Sequence, residues 1–257
     1  MNKRVNYLNN KDILKEIHKS KTTFCSYVDP EYGQYDIILP EIGKINIRTI
    51  AEAKRNKAKR LQQQAFEAAK LAGKRVKLAE FEIDYRKIQK DELVFRIMTF
   101  DHIPEEPGRK KNPKTPADYK VKLNFPPFQH YKFDEKDALL CVGKSHWEGG
   151  MDNGYFNKAH GKATNKLALM WMKLCERYAT RGNVRGYTIL QLAQIGLQFD
   201  ESKSNNPFAY YTAAVTNSFV RVINIEKRNQ NIRDDILEMN NMNPSYTRQA
   251  QGEWDRV

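Results

Sequence analysis

Apolar residues recur at helical spacing along the last third of the chain. The dipeptide Asn206-Pro207 places a cap residue and a first-turn proline in the order that starts a helix. From there the pattern predicts a helix to about residue 229, and an earlier helix is predicted to start after Thr164. The apolar face of the later helix consists of Phe208, Tyr211, Val215, Phe219 and Val222, and that of the earlier one of Leu167, Trp171, Leu174 and Tyr178.

A short helix is predicted between these two, over residues 188–199, after a turn at residues 181–186. It is apolar on most sides, and Gln191, Gln194 and Gln198 form one narrow polar strip. A helix of this kind has to be covered by its own protein or by a partner. The segment is therefore expected either to enter the core or to bind another protein.

The first 150 residues follow a different pattern. A short amphipathic helix is predicted over residues 10–19 and a long one over 49–71. Strands are predicted at residues 81–86, 93–100 and 138–142, and a hairpin at 35–39 and 44–48. A loop rich in proline and lysine, residues 103–127, lies between the strands predicted at residues 93–100 and 138–142.

These patterns predict an α+β fold in two parts. An N-terminal mixed α/β module is expected over residues 1–150, followed by an all-helical domain over 151–233. The remaining residues, 234–257, are expected to form a polar, frayed tail.

The charge balance favours a polyanionic partner. The chain has 257 residues, with 44 Lys and Arg against 31 Asp and Glu and a net charge of +13. Such an excess favours nucleic acid over a membrane surface. The densest basic run lies on the predicted long helix, where it is either a solvated face or a phosphate-contacting surface. It consists of Lys54, Arg55, Lys57, Lys59 and Arg60.

The stretch FDESKSNNPFAYYTAAVTNSFVRVINIEKR, which starts at Phe199, resembles region 2 of bacterial sigma factors. It is most similar to the late-transcription sigma factors of T-even-type bacteriophages, particularly those of phages that infect cyanobacteria. The opening RVNYLNNKDILKEI resembles the start of the same family. The resemblance covers residues 199–233, with 164–198 and 4–20 also similar, and does not extend to 27–150.

The resemblance implies a factor that directs the host RNA polymerase core to late promoters by recognising and melting a −10-type element of promoter DNA. The residues expected to bind DNA are Tyr210, Tyr211, Asn217, Arg221, Asn224, Lys227, Arg228 and Arg233. Those expected to bind the polymerase are Leu190, Gln191, Gln194, Ile195 and Gln198. The family also implies a sliding clamp or a coactivator as a further partner, and Trp254 resembles part of the clamp-binding motif. One departure is that the helix predicted at 188–199 is two or three turns shorter than the family's docking helix.

The sequence contains no motif for catalysis, for a cofactor or for a metal. Cys141 and His146 have a loose metal-ligand spacing, but no second pair completes a zinc site. We therefore expect no enzyme activity, cofactor or bound metal. Three widely spaced cysteines indicate reduced thiols in a cytoplasmic setting, and the lack of a long apolar segment indicates no membrane contact. The resemblance to phage factors implies that this cytoplasm is that of an infected bacterial cell. The alternatives are a basic DNA- or RNA-binding accessory protein that acts without polymerase, in packaging or replication, and, more distantly, a metal-dependent nuclease.

Overall fold

The computed structural model describes residues 8–23, 25–73, 76–104, 123–157, 161–178 and 182–254. These residues form helices and a mixed sheet, so the predicted α+β class is confirmed. Most of the predicted proline- and lysine-rich loop, residues 105–122, lies outside the described residues. The helices are α1 Asn10–Thr22, α2 Ile47–Leu71, α3 Asn165–Tyr178, α4 Gly182–Ile195, α5 Pro207–Met239 and α6 Tyr246–Trp254.

A five-stranded sheet forms the centre of the N-terminal part. Its spatial order is β1-β5-β4-β3-β2, in which β2 and β3 are parallel and the other pairs are antiparallel. A separate two-stranded ribbon pairs β6 with β7. The strands are β1 Cys25–Tyr27, β2 Ile37–Leu39, β3 Phe95–Met98, β4 Phe128–Phe133, β5 Leu139–Ser145, β6 Trp147–Glu148 and β7 Tyr155–Phe156.

Two of the predicted N-terminal elements are wrong. The expected hairpin does not form, because Asn46 caps α2 by accepting hydrogen bonds from the backbone N–H groups of Arg48 and Thr49. Residues 44–48, whose alternating apolar and polar pattern predicted the second hairpin strand, therefore lead into α2. The strand expected at residues 81–86 is instead a pair of short 3₁₀ turns, Leu78–Phe81 and Tyr85–Lys87.

The main core joins α1 to the C-terminal helices. Ile13 and Ile17 of α1 are buried together with apolar residues of α3, α4 and α5. Phe125, three residues before β4, and Phe128, the first residue of β4, belong to the same cluster, so the sheet contacts the helical core at this point. The expected division at residue 150 therefore needs correction for α1, which packs with the helical part.

The C-terminal segment is also more ordered than expected. Helix α5 continues ten residues beyond its predicted end, and α6 follows it. The buried carboxylate of Asp234 accepts hydrogen bonds from the backbone N–H of Ser245 at 2.9 Å and from its hydroxyl at 2.6 Å. Arg248 of α6 donates to Asp235 at 2.6 Å and to Glu238 at 3.0 Å. Local polarity predicted a frayed tail, whereas these contacts fix α6 against the end of α5.

Two glycines near α4 provide a matched test of this packing. A Cβ atom at the buried Gly196 would overlap the indole of Trp171, whereas one at Gly186, within α4, meets nothing within 4 Å. Gly196→Ala should lower the free energy of unfolding by about 1–3 kcal/mol through overpacking. Gly186→Ala should raise it by up to about 1 kcal/mol, because alanine has the higher helix propensity. Chemical denaturation of both variants measures the difference, and equal effects would contradict the packing around Trp171.

Candidate nucleic-acid interface

The turn before α5 is held by α1. The buried ammonium of Lys21 donates to the carbonyl of Phe199 at 2.6 Å and to the carboxylate of Glu201 at 2.7 Å. At the other end of α1, the side-chain oxygen of Asn10 accepts from the backbone N–H of Phe208 at 3.0 Å. Burial lowers the pKa of Lys21, and the charge of Glu201 opposes that shift. These contacts fix where α5 begins and in which direction it leaves the core.

The first turns of α5 are attached to the end of α4 by two tyrosines. The predicted cap is present, since the side chain of Asn206 accepts from the N–H of Ala209. The Tyr211 hydroxyl donates to the carbonyl of Gly196 at 2.7 Å, and the Tyr210 hydroxyl to that of Ile195 at 3.0 Å. Burial raises the pKa of both phenols.

The expected DNA contact by Tyr211 is therefore wrong for this structure. Its side chain is 1% exposed, and its hydroxyl already has a buried acceptor. Tyr210 is half-buried and packs edge-on against Phe199. The ring of Tyr211 therefore presents no free face to an unpaired base and packs in the core, whereas the DNA contact expected of Tyr210 remains a prediction.

Further along α5, four of the predicted DNA-binding residues come together. Asn217, Arg221, Asn224 and Arg228 are exposed and line one shallow groove of about 400 Å³. Val220 and Ile225 form its apolar part. Within the described chain, no carboxylate lies within ion-pairing distance of Arg221 or Arg228. Guanidinium, amide and apolar groups in one groove suit a nucleic-acid strand, which presents phosphates and base edges.

The other two predicted cations lie on different faces of α5. Lys227 and Arg233 are exposed. At about 100° per residue, Lys227 is turned about 100° and Arg233 about 140° from Arg228. The structure therefore divides the cations of α5 that were expected to bind DNA into two groups. Arg221 and Arg228 lie in the groove, and Lys227 and Arg233 lie outside it.

Helix α4 provides a second exposed surface. It begins at Gly182, six residues before its predicted start, and ends at Ile195, four residues before its predicted end, so it has 14 residues where 12 were predicted. Leu190 is 62% exposed, and Gln194 and Gln198 are also exposed. Gln191 is half-buried, while Ile195 packs against the main core. Of the residues expected to bind polymerase, Ile195 belongs mainly to the core and the others lie along the outer face.

Sequence reasoning missed the part that α1 plays in this arrangement. The ordering contacts of Lys21 and Asn10 join residues that are nearly two hundred positions apart in the chain. Lys21 looks like an ordinary basic residue in the last turn of a helix. The sequence signal that connected α1 with the later helices was the expected family resemblance of residues 4–20, which no family model supports.

No protein family, curated protein or solved structure matches this chain. Among the described residues, none of the helices has the length and apolar character that a membrane span requires. In the same part of the chain, no three His, Cys, Asp or Glu side chains are grouped as metal ligands would be. The side chains of residues 251–257, which include Trp254, lie outside the described part.

Proposed function

We propose that this protein is a phage sigma factor, which directs the host RNA polymerase core to late promoters by recognising and melting a −10-type element. The observation that carries the proposal is the pairing of two exposed surfaces on neighbouring helices. The outer face of α4 offers Leu190 among glutamines, and the α5 groove offers Arg221 and Arg228 among asparagines. The sequence motif that resembles sigma region 2 spans the turn and the helix that present this groove.

The polymerase-binding role of α4 follows from its exposed apolar residues. A leucine that is largely exposed loses contact with water when a partner covers it, which favours association. The surrounding amides provide hydrogen bonds that do not carry the desolvation cost of charges. A helix that looked apolar on most sides thus has one side in the core and one side free for a protein partner.

The DNA-binding role of α5 follows from its position relative to α4. The hydroxyls of Tyr210 and Tyr211 hold the start of α5 against the end of α4. A polymerase bound to α4 would therefore fix the direction of the α5 groove. In the proposed mechanism, Arg221 and Arg228 bind phosphates of one strand, and Asn217 and Asn224 contact base edges.

Polymerase binding can be tested by placing a charge on α4. Leu190→Glu should abolish copurification with RNA polymerase core, because a carboxylate would be desolvated in an apolar contact. Val28→Glu is the matched control, since Val28 is an apolar residue that is 64% exposed in the N-terminal part. Both variants should retain their thermal unfolding temperature. Loss of core binding in both variants, or in neither, would contradict the docking role of α4.

DNA recognition can be tested separately on α5. Arg221→Ala and Arg228→Ala should each leave the free energy of unfolding within about 0.5 kcal/mol, because both side chains are exposed. With polymerase core present, each should weaken promoter binding and reduce the slope of log K against log salt by about 1, as expected for the loss of a phosphate contact. Arg233→Ala, on another face of the same helix, is the control and should have little effect. An equal loss in all three variants would indicate a diffuse charge effect and reject the groove.

The main alternative is a nucleic-acid-binding accessory protein that acts without polymerase. Such a protein would use the same basic surfaces, but it would not associate with the polymerase core. Selective promoter binding by the isolated protein, with no binding to polymerase core, would favour this alternative.

A further inference from the structure

The basic run on α2 is divided between two faces of the helix. On the inner face, Arg60 donates to the buried carboxylate of Asp36 at 2.6 Å and Lys57 donates to the carbonyl of Glu92 at 2.5 Å. Asn56 adds a hydrogen bond to the carbonyl of Asp36 at 3.0 Å. These contacts attach α2 to the edge of the sheet. Two cations of the run therefore have acidic or carbonyl partners contributed by other segments, which the sequence did not reveal.

The outer face of α2 presents a second set of cations. Arg48, Arg55 and Lys59 are exposed and line one groove of about 540 Å³, together with Glu52. Within the described residues, none of the three cations lies within ion-pairing distance of a carboxylate. The helical rise places Arg48 about 10 Å from Arg55, and Arg55 about 6 Å from Lys59, along the helix axis.

Tyr85 holds part of this surface in place. The guanidinium of Arg55 lies over the Tyr85 ring at 5.3 Å, and that of Arg86 lies at 5.9 Å. The ring itself packs partly against the core beneath α2. Hydrogen bonding to Arg86, and then to Arg55, lowers the pKa of the Tyr85 hydroxyl, and the charges of both guanidiniums add to the shift. Tyr85 lies beside the groove, and its ring contact makes it a positioning residue for Arg55.

We infer that the outer face of α2 is a second nucleic-acid site, which binds the phosphate backbone of duplex DNA without sequence preference. One strand of a duplex carries a phosphate about every 3.4 Å along the axis. The three cations lie along about 16 Å of the α2 axis, a length over which one strand of a duplex carries several phosphates. Glu52 within the groove and Glu82 beside it are the carboxylates that oppose binding.

The inference is independent of the proposed polymerase contact, since α2 lies on the sheet and belongs to a different core cluster from α4 and α5. Its ligand is DNA because the exposed groups are mainly cations. An anionic membrane surface would be favoured by large apolar residues along the same face, as in interfacial helices. The groove is instead lined by charged and polar side chains, and Ala51 is the one apolar residue among the described residues that line it.

The test uses the full chain without polymerase and measures binding to a short duplex DNA by fluorescence anisotropy over a range of salt concentrations. The variant replaces three outer-face cations: Arg48→Gln, Arg55→Gln and Lys59→Gln. It should lower affinity at low salt by roughly tenfold or more, and reduce the slope of log K against log salt by about 2–3. Glu52→Gln should do the opposite and raise affinity, because it removes a negative charge from the groove.

The control, matched in charge, removes three exposed cations from one face of another helix, with Lys11→Gln, Lys15→Gln and Lys19→Gln in α1, of which Lys19 is ion-paired with Glu16 at 3.6 Å. It changes the net charge by the same amount and should alter the slope by less than about 1. If the α2 variant unfolds at a lower temperature, Arg48→Gln with Lys59→Gln replaces it. Neither of those side chains forms a hydrogen bond or an ion pair with the described residues.

Equal losses in the α1 and α2 variants would overturn the inference, because binding would then follow net charge alone. An unchanged slope in the α2 variant would overturn it as well. A last measurement tests binding of the protein to anionic phospholipid vesicles. If the protein binds the vesicles and does not bind DNA, the outer face of α2 is a membrane-binding surface instead.

Discussion

The arrangement of the helices depends on the contacts made by the buried ammonium of Lys21. This ammonium reaches from the last turn of α1 to the carbonyl of Phe199 and the carboxylate of Glu201, and is excluded from water. Desolvating two charges is expensive, and removing one partner of such a pair typically costs about 3–5 kcal/mol. The turn that precedes α5 therefore has one strongly preferred position. Both proposed surfaces of the helical part depend on that position, because α4 ends and α5 begins on either side of this turn.

A second buried cation connects α1 to the sheet. Arg96 of β3 donates to His130 at 2.9 Å, contacts His18 of α1, and lies over the rings of Tyr35 and Phe128. Burial, followed by the charge of Arg96, lowers the pKa of both histidines well below its usual value. Neutral imidazoles accept hydrogen bonds, so His130 and His18 can provide acceptors for Nε and Nη1 of Arg96, while its buried Nη2 has no hydrogen-bond partner among the described residues. Helix α1 thus contacts the turn through Lys21 and the sheet through His18, and connects the two parts of the protein.

Local signals predicted the elements that local forces determine. Apolar periodicity and the Asn206-Pro207 start predicted α5, and similar patterns predicted α2 and α3. The parallel pairing of β2 with β3 depends on contacts between distant segments, which periodicity does not encode. The same reason explains the error at Tyr211. Tyr210 and Tyr211 are adjacent in sequence, and only the carbonyls at the end of α4 decide that both hydroxyls point inward.

The central claim is that α4 faces the polymerase while the α5 groove faces promoter DNA in the same complex. Site-specific photo-cross-linking tests it most directly, with a photoreactive amino acid in place of Leu190 in one preparation and of Asn224 in another. In a complex of the protein with polymerase core and promoter DNA, position 190 should cross-link to a polymerase subunit and position 224 to DNA. Cross-linking of position 190 to DNA, or of neither position to its expected partner, would contradict the account.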